Sequence, residues 1–349
     1  MQAPPVASVT SPRKKLQKRR GRDYSQQVRR VAQLLFFALN VWIGVEFYFF
    51  VKYYENGGHG WKLERPPGVE GYLPIASLMN LKALLLTGEF PLHHAAGMFL
   101  LLSFLVISLV FRKAFCSWLC PVGTFSEYLW KLGRQTFRKN WRVPRALDIP
   151  LRGLKYFLLA LFLYAVGSMS AVAIRAFLDG PYGVIADVKM LNFFRYLGTA
   201  AAITIGLLVL LSVFIQNFWC RYLCPYGALF GLTSRFSPTR IRRDPALCID
   251  CAKCTTACPS ILPVATLTTV RSPECTSCFE CIAACPAEGA LEMTIAGNHR
   301  LPAWTIAAGV AVVFLGFVSY AMWNGNWHTY LPEDVYLRLI PAANELTHP

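Results

Sequence analysis

The stretch CIDCAKCTTACPSILPVATLTTVRSPECTSCFECIAACP, running from Cys248 to Pro286, holds eight cysteines in two runs of one spacing. Cys248, Cys251, Cys254 and Cys258-Pro259 read C-x2-C-x2-C-x3-C-P, and Cys275, Cys278, Cys281 and Cys285-Pro286 repeat it. This spacing suits a 4Fe–4S cube: three closely set thiolates wrap one cluster, and the fourth, ahead of a proline, reaches across to the other. Cys248, Cys251, Cys254 and Cys285 are therefore assigned to one cluster, and Cys275, Cys278, Cys281 and Cys258 to the second. Two structural zinc sites are the competing reading. Zinc, however, draws on two separated C-x2-C pairs, not on four evenly spaced thiols before a proline. A fold of about fifty residues has too small a core to stand without such clusters.

Outward from this module the chain turns apolar. Of 349 residues 55% are hydrophobic and only 15% charged, yet the formal net charge is +16. That is too apolar for an ordinary soluble domain. The charges gather between apolar runs of about 20 residues, the length that spans a bilayer core. Five spans are expected: Val31–Tyr53, His94–Phe111, Leu154–Ala176, Leu197–Gln216 and Pro302–Trp323. A sixth patch, Tyr72–Leu86, is interrupted by Pro74, Asn80 and Lys82 and reads as an interfacial helix. With the N-terminus inside, 27 of the 35 Lys and Arg residues fall in inner segments, so the positive-inside rule places the N-terminus in the cytoplasm and the C-terminus outside. The basic start reads as a retained anchor held against anionic lipid, since the apolar run behind it is too long for a signal peptide. Residues 1–12 are expected to be disordered. No basic, aromatic-interleaved groove points to nucleic acid. All twelve cysteines fall in predicted cytoplasmic segments, where metal ligation is the default reading and disulfides are not expected.

A second motif occurs twice. RKAFCSWLCPVGTFSE (Arg112–Glu127) and QNFWCRYLCPYGALFG (Gln216–Gly231) share aromatic-Cys-x2-Leu-Cys-Pro-x-Gly. Each closes a predicted span, so the first four spans read as two tandem hairpins in parallel. A spacing of i and i+4 sets Cys116 and Cys120 on one helical face, and likewise Cys220 and Cys224. If the hairpins face each other, the four thiols converge as a third metal centre; the alternative is two pairs of buried or redox-active thiols without metal. The proline after each pair marks a helix break. Across the bilayer, His93 and His94 are candidates for a haem or quinone site, with Glu46 as a proton acceptor. Interfacial hydration of the two histidines and of Glu46 is the plainer reading. Arg175 and Asp179 read as a pair. No covalent flavin site is visible.

The four cysteine motifs and five spans resemble the membrane-bound polyferredoxin family, in particular the C-terminal membrane part of the NosR type and the NapH-like ferredoxin-type membrane proteins. RPPGVEGYLPIASLMNLKALLLTGEFPLHHAAG and DVKMLNFF look closest to the NosR type. The resemblance implies electron transfer between the cytoplasmic or quinone side and an outer redox partner in a respiratory system. The NosR type carries a large outer flavin-binding domain ahead of its first span, where this chain has a short basic tail. That implies a separate flavoprotein, cytochrome or reductase as partner. Five-span cupric reductases of cytochrome oxidase assembly are also similar, but carry a β-sandwich domain for which Asn324–Pro349 is too short.

The expected organisation is thus an α-helical integral membrane protein with a small α+β ferredoxin domain. Residues 1–30 form a basic cytoplasmic tail, 31–245 the four-span region, 246–293 the ferredoxin domain, 302–323 the fifth helix and 324–349 an outer tail. The expected function is a redox subunit of an oxidoreductase complex in the bacterial inner membrane, with two 4Fe–4S clusters, a third metal centre and quinone as candidate cofactors. Cupric reduction or metal-centre maturation, with copper on the Cys-x3-Cys thiols, is the alternative. Outer segments Glu55–Leu92 and Asn324–Pro349 are the expected docking surface, with Trp61 and Trp327 as lipid-interface anchors.

Overall fold

A computed structural model describes Arg19, Gly21 and residues 23–297 and 299–348. The segment expected to be disordered, and most of the basic tail, lie outside the described residues. α1 (Ser25–Glu55) is 31 residues long, about 46 Å at 1.5 Å per residue. This exceeds the ~30 Å hydrocarbon core, so its first turns extend beyond the apolar run and carry the buried Arg29 and Gln33. A 3-10 turn (Pro67–Tyr72) and α2 (Pro74–Thr87) lead to α3 (Ala95–Phe111). α3 is apolar all round and buried through most of its length, as a central helix must be. α2, α15 (Ala303–Trp323), the 3-10 turn and α12 (Pro225–Ser234) all pack on it.

Between them run α4 (Ala114–Trp118), α5 (Pro121–Phe137), α6 (Arg145–Ser168), α7 (Ala171–Leu178), α8 (Pro181–Val184), α9 (Ala186–Arg195), α10 (Thr199–Phe214) and α11 (Phe218–Tyr222). By length and composition α1, α6 and α15 can cross a membrane; α9 and α10, bent by 81°, make a fourth if counted as one span. Three helices, or four with the bent pair, thus pass by length and composition where five spans were expected. His94–Phe111 resolves as a 17-residue helix and Leu197–Gln216 as a 16-residue helix. The third span starts earlier than expected and breaks after Ser168. α3 is short because the 3-10 turn and its ion pairs occupy the far end of the bundle. The patch Tyr72–Leu86 forms α2, too short to span: Ala76, Met79 and Ala83 make a core with Ile174 and Leu178 of α7, while Ile75, Leu85 and Leu86 are exposed.

The cysteine-rich segment folds on an antiparallel sheet of β1 (Thr239–Arg243), β2 (Thr269–Val270), β3 (Leu291–Ile295) and β4 (His299–Arg300), in the order β2-β1-β3-β4. Ile241 opposes both Val270 and Met293, and all three are buried. Two short helices, α13 (Lys253–Ala257) and α14 (Glu280–Ala283), carry the cysteine runs. The last helix, α16 (Glu333–Leu339), folds back so that Tyr336 and Leu339 pack with Phe50, Tyr54 and Val188.

A buried ion network ties this module to the helices. Arg29 donates to both oxygens of Glu127, at 2.6 and 2.7 Å, and to Glu280 at 2.8 Å. Lys131 reaches the same two carboxylates at 2.6 and 3.1 Å. Burial alone would raise the Glu127 carboxyl, but its bonds to Arg29 and the charges of Arg29 and Lys131 outweigh that and hold it down at about 2. Glu127→Gln leaves the buried guanidinium without its bidentate partner and is expected to cost about 3 kcal/mol. The readout is a lowered midpoint of thermal unfolding of the full chain in detergent. The carboxylate's contribution is complete above roughly pH 4.3, the ordinary glutamate value, and is lost as pH falls toward about 2. The gap between wild type and variant should therefore narrow across that window; a constant gap would mean that Glu127 acts by shape alone.

Candidate metal centre

The proline after each Cys-x3-Cys pair decides the local geometry. Proline offers no N–H and pushes the residue before it out of the helical region. Cys120 and Cys224 accordingly have ψ of 118° and 108° and become the N-caps of α5 and α12. Their partners Cys116 and Cys220 stay inside the one-turn helices α4 and α11. The expected placement of each pair on one continuous helical face is thus corrected: a break lies between the two thiols. The turn is nonetheless built alike in both copies. Sγ of Cys120 accepts the Gly123 N–H at 3.4 Å, and Sγ of Cys224 accepts that of Gly227 at 3.3 Å. The N–H of Cys120 donates to the Phe115 carbonyl and that of Cys224 to the Trp219 carbonyl.

All four cysteines line one cavity of about 410 Å³. Burial pushes the Cys116 thiol up to about 11 and the Cys120 thiol up to about 12, and raises Cys220 and Cys224 as well. A bound metal centre deprotonates its thiols outright. The surroundings suit a negative group. Lys113 is 4% exposed, and Glu274 lies 3.7 Å from its ammonium. Burial disfavours that charge, yet Glu274 and the neighbouring thiols raise the Lys113 value. Lys155 pairs with the same carboxylate at 2.6 Å, and Lys113 and Arg221 line the cavity with Glu127 and Glu274. Four thiols, two N–H donors to sulfur and buried cations in the lining fit an anionic iron–sulfur centre.

Both ferredoxin runs reach this cavity: Cys278 and Thr276 of the second, and Pro259 at the end of the first, are among its walls. Ser117 donates to the Thr276 carbonyl at 2.6 Å, Trp118 to Ser277 at 3.0 Å and Arg221 to Ser260 at 2.8 Å. Each donor sits beside Cys116 or Cys220. Cys258, Cys275, Cys278 and Cys281 are all buried, whereas in the first set Cys254 is buried, Cys248 and Cys285 are half-buried and Cys251 is exposed.

The other sequence candidates lie elsewhere. His94 is buried, with Nε2 2.8 Å from the Gly183 carbonyl and Nδ1 3.6 Å from Glu70. Glu70 also binds Arg65 at 2.7 Å, and Arg65 binds Asp187 at 2.8 Å. Burial would raise Glu70, but Arg65 and His94 outweigh it and hold it at about 2. With both ring nitrogens committed, His94 acts within an ion network. His93 is 3.9 Å from Asp179, and Arg175 pairs with Glu89 instead, so the expected Arg175–Asp179 pair is corrected. Glu46 is half-buried on α1 and joins neither histidine by a hydrogen bond or ion pair among the described residues. Trp61 is exposed, but Trp327 is buried in the core, which corrects its reading as a lipid anchor. Sequence reading missed Lys113, Lys155 and Glu274. The first two counted only as positive-inside charges, and Glu274 gave no signal beyond its place before Cys275.

A 4Fe-4S binding domain matches residues 94–143 and again 197–244, and a 4Fe-4S dicluster domain matches 240–286. The Escherichia coli K12 protein named "Putative electron transport protein YccM" is 48% identical over 326 residues, covering 92% of this chain and 91% of that protein. The Regulatory protein NosR of Pseudomonas aeruginosa is 31% identical over 40% of this chain and 19% of its own length. The Ferredoxin-type protein NapH of Escherichia coli K12 is 27% identical over 42% and 48%. No solved structure matches.

The two thiol turns differ in how tightly they close. A Cβ on Gly123 would stand 2.3 Å from the Cys116 carbonyl oxygen, which is backbone and cannot yield; on Gly227 it would stand 3.4 Å from that of Cys220. Gly123→Ala is therefore expected to collapse the first turn, with loss of bound metal, and Gly227→Ala to be tolerated. Metal content of the two purified variants checks this, and equal losses would defeat it.

Proposed function

This chain belongs to the ferredoxin-type membrane electron-transport family, and from that premise we propose that it passes single electrons between a cytoplasmic ferredoxin end and the far side of a bacterial inner membrane. The crossings are read as five, in two tandem hairpins and a final helix, with the N-terminus and residues 246–293 inside and 324–349 outside. 4Fe–4S clusters, when bound, supply one-electron carriage at a potential set by sulfur hydrogen bonds, burial and local charge. Cys248, Cys251, Cys254 and Cys285 would hold the first, and Cys258, Cys275, Cys278 and Cys281 the second. Cys116, Cys120, Cys220 and Cys224 would hold a third centre. The observation that carries this reading is the shared cavity: thiols of both repeats and Cys278 line the same space. Ser117 and Trp118 orient the second run against it, Arg221 the end of the first, and Lys113 offsets negative charge within it. The outer redox partner is read as a flavoprotein, cytochrome or reductase, with quinone as a further candidate. Copper on the Cys-x3-Cys thiols, as in a cupric reductase or a metal-centre maturation factor, is the alternative reading.

Iron and acid-labile sulfide after anaerobic purification test the proposal. Two clusters account for about eight irons per chain; a clear excess, lost in Cys116→Ser or Cys220→Ser while the eight remain, is the expected result. No excess would remove the third centre, and absence of the eight would remove the proposal itself. Lys113→Gln takes a positive charge from beside the cavity and should lower that centre's reduction potential by tens of millivolts, roughly the scale of one partly compensated charge. An unchanged potential in a redox titration would place Lys113 in packing alone.

A further inference from the structure

We propose that a basic cavity beside the first ferredoxin run is the docking surface for a small acidic one-electron carrier protein; this rests on the electron-transfer reading above. The cavity, about 370 Å³, lies between the turn after α5, the end of α10 and α13. Arg134, Arg138, Lys139 and Arg142 line it, and no Asp or Glu does. All four are exposed, and none has a hydrogen bond or ion pair among the described residues. Elsewhere Arg29, Arg65, Arg195 and Arg221 each meet a carboxylate within 3 Å. Four like charges kept together without an acid repel one another and favour an anionic ligand.

The number of charges points to the kind of ligand. A phospholipid phosphodiester brings one negative charge, whereas an acidic protein face brings several and matches the whole cluster. The turn is held firm for that purpose. The Trp141 N–H donates to the Phe214 carbonyl at 2.9 Å, and the two rings stack at 5.0 Å. The fourth wall is Thr256, which lies on α13 between Cys254 and Cys258. The first cysteine set is the one with an exposed member, Cys251, while the second is buried against the thiol cavity. A carrier seated here abuts the first-run site, the more exposed of the two ferredoxin sets. The carrier gives up the single electron that the first-run site accepts, with no bond made or broken.

The test uses the full chain with its iron–sulfur content intact, in nanodiscs of phosphatidylcholine, and an oxidised acidic [2Fe–2S] ferredoxin as the probe. The expected result is binding at about 50 mM salt that weakens roughly tenfold by about 300 mM. Arg134→Glu with Arg138→Glu should weaken it at least tenfold at low salt, and the Lys pair at the same positions should bind like wild type, all at unchanged iron content. Binding that ignores both salt and charge reversal overturns the inference. So does absence of ferredoxin binding together with loss of co-purifying anionic phospholipid in the Glu pair, which would make the cavity a lipid headgroup site. Full iron without carrier binding defeats the docking alone; a chain without iron in the ferredoxin runs defeats the reading beneath it.

Discussion

The second cysteine run is seated on two helix breaks, and the remaining structure is arranged around that contact. Its loop would otherwise bury carbonyls without donors, a costly state inside a protein. Ser117 and Trp118 supply those donors, Arg221 supplies one to Ser260 just after the first run, and Glu274 enters between Lys113 and Lys155. A carboxylate buried there without those ammonium groups would be strongly unfavourable. The contact is therefore specific in register: only the second run, with Glu274 just ahead of its first cysteine, satisfies it. The Arg29–Glu127–Glu280 network repeats the device from the α1 side, so the ferredoxin module is held from two directions.

At the other end of α3 a different charge cluster closes the bundle. Arg65 stands between Glu70 and Asp187, and the Glu70 carboxylate also takes the Gly97 N–H at 3.0 Å and the Thr329 hydroxyl at 3.0 Å. These bonds cap the exposed N–H groups of a short helix with a buried acid. They also explain why α3 is not longer: its N-terminus ends on protein rather than on water. His94 joins the same network beside Glu70. The tail after α15 then folds over the same end through α16, burying Tyr336 against Phe50 and Tyr54.

Exposure separates the two ferredoxin sets. Cys251 faces solvent and the second set is enclosed, while the four Cys-x3-Cys thiols are half-buried around their cavity. Unpaired arginines line the cavity beside the first run, and Lys113 and Arg221 line the thiol cavity. In an electron-transfer protein such a difference separates the place where a partner is met from the place where water must be kept out.

Much of this was legible in the residues themselves. The ferredoxin runs declare their chemistry through spacing, because a cube imposes fixed thiol intervals. The repeat of Cys-Pro-x-Gly marks two equivalent turns, because proline forbids the helix to continue. Apolar length identified α1, α6 and α15, since hydropathy depends on composition alone. The exact spans were less legible. α3 proved short and Trp327 buried because neighbours from distant parts of the chain surround them, whereas α10 stays largely exposed and is cut short by its 81° bend from α9. The sequence alone determined which residues can bind metal and which segments are apolar. Only the tertiary structure brought Cys116, Cys120, Cys220 and Cys224 around one cavity and set Cys278 against it, since those contacts join residues far apart in the chain and leave no periodic trace.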